Sequence, residues 1–279
     1  MGDLCKMLAS HFLAQIASMT DNALFKDYFS IQAEDYSVYR PEYPTELFEW
    51  LASLCPEHQL AWDCGTGNGQ AAVAMTNQFS YVIGTDASES QIYRAMVYPR
   101  VEFEVALAQN SPHKDHSVDL VTVGQALHWF DFDAFFNEVS RVVKPNGVLA
   151  VWCYELHQIT PEVDAVVMDY YQNIIGGFWP EERKHIENRY QDIDFPFEPI
   201  PSPKCTMQKQ WTLKHLVGYL GTWSATQNYI EKHNKDPRAE VLDALTKAWG
   251  DDETKTVTWP VTIKTFRVNS EVKQNNNED

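Results

Sequence analysis

Short apolar runs alternate with helix-period segments from Leu60 to Tyr154. The runs Leu60–Asp63, Tyr81–Thr85, Val101–Val105, Val118–Val123 and Val148–Tyr154 are of strand length and predict five buried strands. Between the last two, Phe132, Phe135, Phe136, Val139, Val142 and Val143 recur at helical spacing, an apolar face wide enough to lie on a sheet. Ser88 and Gln91 stand at capping-box spacing, so a helix is predicted to start just after Ser88. The segment KPNG (Lys144–Gly147) stops the Phe132 helix and turns the chain into the fifth strand. This repeated strand–helix order predicts an α/β fold with a mainly parallel sheet.

Beyond Tyr154 the rhythm changes. Thr160-Pro161-Glu162 reads as a helix start, with a capping hydroxyl followed by proline at the first helical position. Asp194–Pro203 holds four prolines in DFPFEPIPSP and predicts a loop or extended connection. Two further helical segments are expected over about Leu213–Ile230 and Pro237–Trp249. A late β segment, TKTVTWPVTIKTFRV, follows, with Pro260 arguing for an edge or a break. The polar tail 269–279 is expected to be disordered. At the other end, MGDLCKMLASHFLAQIASM predicts a short amphipathic helix within an extension over 1–35.

Composition narrows the function. The 279 residues suffice for one large α/β domain, and 39 acidic against 22 basic residues give a formal charge of −17. That balance repels phosphate backbones and anionic lipid, so neither nucleic acid nor a membrane is the expected partner. The five cysteines are scattered without metal-ligand spacing, which points to reduced thiols and a cytoplasmic location. In HKDH (His113–His116) the two histidines and Asp115 hint at a metal, but a solvated turn before a strand is the preferred reading, and no metal is expected.

Three glycines, Gly65, Gly67 and Gly69, fall between the first strand and the helix former QAAVAM. Gln70 stands where a dinucleotide loop has its third glycine, and no Gly-Lys-Ser/Thr follows, so both phosphate-cradling readings fail. Asp63 at the strand end suits a ligand with a cationic group. Asp86 ends the next strand, where a carboxylate can accept hydrogen bonds from both ribose hydroxyls.

AWDCGTGNG, IGTDAS, SVDLVTVGQALHWFD and EVSRVVKPNGVLAVW, in that order, resemble the successive motifs of the class I S-adenosylmethionine-dependent methyltransferases, in the broad small-molecule "type 11" group. The resemblance covers about Tyr36 to Tyr154. It implies a Rossmann-like three-layer sandwich with a mostly parallel seven-stranded sheet in a domain over 36–268, with a cofactor-binding core over about 56–154 and a helical substrate cover over about 159–250. It implies S-adenosyl-L-methionine as cofactor, S-adenosyl-L-homocysteine as product and a small-molecule acceptor. Gly65, Gly67 and Gly69 with Asp63 would meet the methionine part, and Asp86 the ribose. Ala108 and Gln109 would meet the adenine, although LAQN (Leu107–Asn110) departs from the acidic pattern usual in the family.

In such a sheet the ligand crevice lies beyond the carboxyl ends of the strands, so GQALHWFD should face the reacting sulfur. His128 reads either as a general base or as a structural residue fixing its loop. Gln125 would line the cofactor pocket. Trp129 would either offer its face to a sulfonium or simply pack. In the upstream segment AEDYSVYRPEYP, Tyr36 and Tyr39 would cap the substrate side and Arg40 would pair with a carboxylate, or form part of a surface turn. Trp223, within a later aromatic cluster, is the chosen acceptor-pocket residue against a reading of core packing. A cofactor-binding regulator without activity and a protein methyltransferase are the alternative functions.

Overall fold

A computed structural model describes residues 39–269; the expected extension over 1–35, Tyr36, and the tail beyond Asn269 lie outside the described residues. Helix α1 (Thr45–Ser53) leads into β1 (Leu60–Cys64), α2 (Gln70–Met75), β2 (Tyr81–Asp86), α3 (Glu89–Arg94), β3 (Val101–Val105), β4 (Val118–Gly124), α4 (Phe132–Val142) and β5 (Val143–Tyr154). The second half holds α5 (Pro161–Asp169), α6 (Arg183–Glu187), β6 (Glu198–Ile200), β7 (Cys205–Trp211), α7 (Leu213–Gly221), α8 (Ser224–His233), α9 (Leu242–Trp249) and β8 (Lys255–Val268).

The strands form one sheet in the order β3-β2-β1-β4-β5-β8-β6, with β7 also paired to β8. The pairs from β3 to β5 are parallel, and β8 pairs antiparallel with β5, β6 and β7. The sheet has eight strands rather than the expected seven, because two strands inside the second half, β6 and β7, both attach to the long β8. The cover is therefore not purely helical.

Period-two alternation sorts side chains onto two faces. Along β5, Val148, Ala150, Trp152 and Tyr154 join Ala61, Val82 and Leu120 in a core that also takes in α1, α2 and the cover. Leu149, Val151 and Cys153 join Trp62, Val121 and Val123 against α4 on the other face. Burial on both faces explains why these strands read as nearly unbroken apolar runs.

Helix α4 buries Phe135, Phe136, Val139 and Val142 as its spacing predicts, and Asp131 caps it through Ala134 N–H. Val143 instead begins β5, and KPNG forms an irregularity within that strand, where the register jumps between Val118↔Val143 and Leu120↔Val148. Thr160 caps α5 with Pro161 at its first position. Helix α3 starts where expected, but the Ser88 hydroxyl makes no capping bond to it. The single helix predicted over Leu213–Ile230 is two, broken at Thr222 and Trp223, and Pro237–Glu240 forms a separate turn before α9. Pro260 does not break β8; it lies where β8 pairs with β7, next to the residue at which pairing with β5 begins.

Candidate active site

The loop from Gly65 to Gly69 joins β1 to α2 at the carboxyl edge of the sheet, and all three of its glycines adopt positive φ. Asp63 fixes the loop from below: its carboxylate accepts from Thr66 Oγ1 at 2.6 Å and from Thr122 Oγ1 at 2.8 Å. Only 2% exposed, it is pushed up to about 6 by burial, against the hydrogen bonds from Thr66, Thr122 and the Ala72 backbone. Its main task is thus to hold the loop. Asp86 accepts from Gly67 N–H and from Ser88 N–H, both at 2.9 Å. The two aspartates anchor the same loop from adjacent strands.

Above the loop opens a cavity of about 560 Å³. It brings together Arg40, Asp63, Gly65, Gly67, Asp86, Ala108, Gln109, Gln125, His128 and Trp129 of the residues singled out by sequence. Gly69 faces away from it, since a Cβ there would stand 2.4 Å from the Phe103 ring. Tyr39 packs against Gly218 and edge-on to His215. Trp223 is buried among Tyr170, Tyr171, Trp179 and Tyr219 outside the cavity lining, so the geometry gives it the packing role.

Gln125 holds a left-handed φ of 58° just past β4, and its side-chain amide clasps the Tyr154 backbone, accepting from N–H at 2.8 Å and donating to the carbonyl at 3.3 Å. A non-glycine residue in this conformation marks a backbone over-determined by its surroundings. Arg40 donates to Tyr154 Oη at 2.9 Å and to the Thr222 carbonyl at 3.2 Å, and lies over the Tyr219 ring. It ties the end of β5 to the cover.

His128 is 6% exposed, with Nδ1 3.2 Å from Tyr190 Oη. Burial, and then the charges of Arg183 and His185, push it down to about 3, so the ring is neutral at ordinary pH. A group that holds a proton so weakly is a poor general base near neutrality.

The cavity also uses residues to which the sequence reading gives no site role: Tyr43, Phe132, Tyr154, Glu182 and His185. His185 Nδ1 lies 2.8 Å from Asp192 Oδ2. Among the described residues that line the cavity, Asp63, Asp86, Asp131 and Glu182 are acidic and Arg40 carries the one guanidinium.

The HKDH segment is not a wholly solvated turn. His113 is buried against Trp62, with ring centroids 5.0 Å apart, while Arg141 bridges Asp115 and Glu138 beneath it. Among the described residues no three His, Cys, Asp or Glu side chains are grouped to hold a metal ion, and no helix is long and apolar enough to cross a membrane.

A family model described as "Methyltransferase domain" matches residues 62–151, from β1 into β5. A Dictyostelium discoideum protein that bears a methyltransferase name is 36% identical over 245 residues, covering 85% of this chain and 93% of its own. A solved structure from Anaeromyxobacter dehalogenans, named as a type II methyltransferase, is 40% identical with a TM-score of 0.78 and covers 84% of this chain and 100% of that one. A Saccharomyces cerevisiae protein named for S-adenosylmethionine-dependent methyl transfer is 26% identical over 244 residues, covering 75% of this chain and 84% of its own. Sheet order, glycine loop and near full-length likeness to the Dictyostelium relative agree: the chain belongs to the class I S-adenosylmethionine-dependent methyltransferases.

Proposed function

We propose that the cavity over Gly65–Gly69 binds S-adenosylmethionine and that the enzyme methylates a small organic acceptor admitted beside it. The observation that carries this reading is the joint anchoring of one glycine loop by Asp63 and Asp86 at the floor of a cavity lined by four carboxylates. Such a lining suits a cationic nucleoside and opposes a pyrophosphate. The space also fits: a Cβ on Gly67 would meet only Gln91 Oε1, at 4.0 Å, so bare backbone borders open volume there.

In this reading Asp86 accepts from the ribose hydroxyls while it holds Gly67, and Leu107, Ala108 and Gln109 form the adenine wall. Arg40, fixed by Tyr154 and Thr222, stands on the wall near the end of β5, and Trp129 and Phe130 supply apolar cover after β4. When bound, S-adenosylmethionine supplies an electrophilic methyl group on a positively charged sulfur. The protein's task is then to align the acceptor with that methyl and to exclude water. The size and apolar walls of the cavity support a small acceptor rather than a folded protein. The free cysteines Cys55, Cys64, Cys153 and Cys205 support a reducing, cytoplasmic setting.

Isothermal calorimetry with S-adenosylhomocysteine tests the site. Saturable one-to-one binding is expected, together with release of S-adenosylhomocysteine when S-adenosylmethionine and an acceptor panel are supplied. A flat titration overturns the assignment.

A further inference from the structure

Among the described residues two histidines border the cavity, and their surroundings differ. His128 is sealed in, with Tyr190 at Nδ1. His185 stands at the wall on α6, edge-on to Phe132 at 5.3 Å, and Asp192 occupies its Nδ1. Asn188 also donates to Asp192, at 3.3 Å, so the carboxylate that orients the imidazole is itself held in place. This leaves His185 Nε2 as the nitrogen available to a bound molecule, in the arrangement by which an acid fixes the tautomer of a catalytic base.

Three of the cavity's acidic residues are already engaged by the fold. Thr66 and Thr122 close off Asp63, and Gly67 and Ser88 occupy Asp86. Asp131 caps α4. With these acids and Glu182 around the cavity, an acceptor that is already an anion is disfavoured, whereas a neutral hydroxyl is not. A hydroxyl is a weak nucleophile until its proton leaves, and so it needs a base.

Building on the methyltransferase reading, we infer that His185, positioned by Asp192, is the general base that takes the proton from a hydroxyl-bearing acceptor. As the acceptor oxygen forms its bond to the methyl carbon, the carbon–sulfur bond breaks and its electron pair stays on sulfur. The hydroxyl proton passes to His185 Nε2. Asp192 accepts from Nδ1–H and stabilises the imidazolium that results. Asn188, Arg183 and Glu182 flank the pair on its own stretch of chain, and Asp131 and His128 face the cavity from the loops after β4.

The test uses the full chain with labelled S-adenosylmethionine, a set of simple phenols and the matched benzoates. Turnover of phenols is expected, with kcat rising with pH through a single limb. His185→Gln should lower kcat on phenols by about 100-fold or more, abolish that limb and leave the Kd for S-adenosylhomocysteine within about twofold. Asp192→Asn should lower kcat on phenols while leaving the Kd for S-adenosylhomocysteine within about twofold, because the imidazole loses the carboxylate that fixes its tautomer. A measurement that needs no acceptor accompanies it: 15N spectra at alkaline pH should show His185 protonated on Nδ1 and bare on Nε2. Turnover restricted to benzoates, an unchanged pH limb in His185→Gln, or an Nε2-protonated His185 would each overturn the proposal while S-adenosylhomocysteine still binds. Absent binding would instead remove the methyltransferase reading beneath it.

Discussion

The backbone N–H of Gly67 donates to Asp86 Oδ2 across 2.9 Å, so the acid at the tip of β2 holds the middle of the glycine loop that follows β1. Its other oxygen is held by Ser88 N–H, which turns the chain into α3. The carboxylate thus shapes the loop and faces the cavity together. Asp86→Ala is expected to weaken S-adenosylhomocysteine binding at least about tenfold, roughly 1.4 kcal/mol, with Asp86→Asn intermediate because it keeps one acceptor oxygen. Calorimetry measures it, and unchanged affinity in Asp86→Ala would refute the ribose assignment.

Gly67 and Gly69 separate binding from folding. Both have positive φ, so alanine at either carries a conformational cost of about 1–2 kcal/mol. At Gly69 the new methyl would also lie 2.4 Å from Phe103 Cζ, which adds about 1–3 kcal/mol of overpacking. At Gly67 it would enter open volume. Urea unfolding should therefore show Gly69→Ala as the less stable variant, and calorimetry should show Gly67→Ala losing more affinity per kcal/mol of stability lost.

Trp223 offers a contrast. Its ring lies 5.7 Å from those of Trp179 and Tyr219 and is almost fully buried, so truncation leaves a large void. Trp223→Ala should cost about 3–5 kcal/mol in unfolding free energy, while the Kd for S-adenosylhomocysteine stays within about twofold at a temperature where the variant is folded. A selective loss of binding would return Trp223 to the cavity.

The legible parts of this chain are those whose cause is local. Strands β1, β4 and the latter part of β5 are buried on both faces and show as apolar runs, and the glycine loop with Asp63 and Asp86 occupies two short segments at strand ends. Strand β7 was hidden because its inward positions include Lys209, whose ammonium pairs with Glu42 while Met207 and Trp211 are buried. β6 lies inside a proline-rich stretch. The Ser88–Gln91 spacing located a helix start but not its cap, since the Ser88 hydroxyl meets Ser90 Oγ at 3.0 Å. His185 and Asp192 meet only because Arg189 and Tyr190 take left-handed conformations between them, a reversal that no linear motif records.

His157 makes stability depend on pH with a definite sign. It is 4% exposed among Tyr219, Trp223 and Trp259, neither ring nitrogen has a hydrogen-bond partner, and burial pushes it down to about 3 from an ordinary 6.5. Below pH 6.5 the unfolded chain takes up a proton that the folded one refuses, so the stability present above that pH is lost as pH falls toward 3. By pH 5 the loss from this one group is about 2 kcal/mol, and His128 and His113 act in the same direction. Asp63 acts oppositely. Raised to about 6, it takes up a proton in the folded state that the unfolded state has released, so stability is gained as pH falls through 6. His157→Phe keeps an aromatic ring in the same cage and removes the titration. Urea unfolding at pH 7 and pH 5 should therefore show a smaller drop for His157→Phe than for the unsubstituted chain, by about 2 kcal/mol. Equal drops would mean that His157 exchanges its proton as freely when folded as when unfolded.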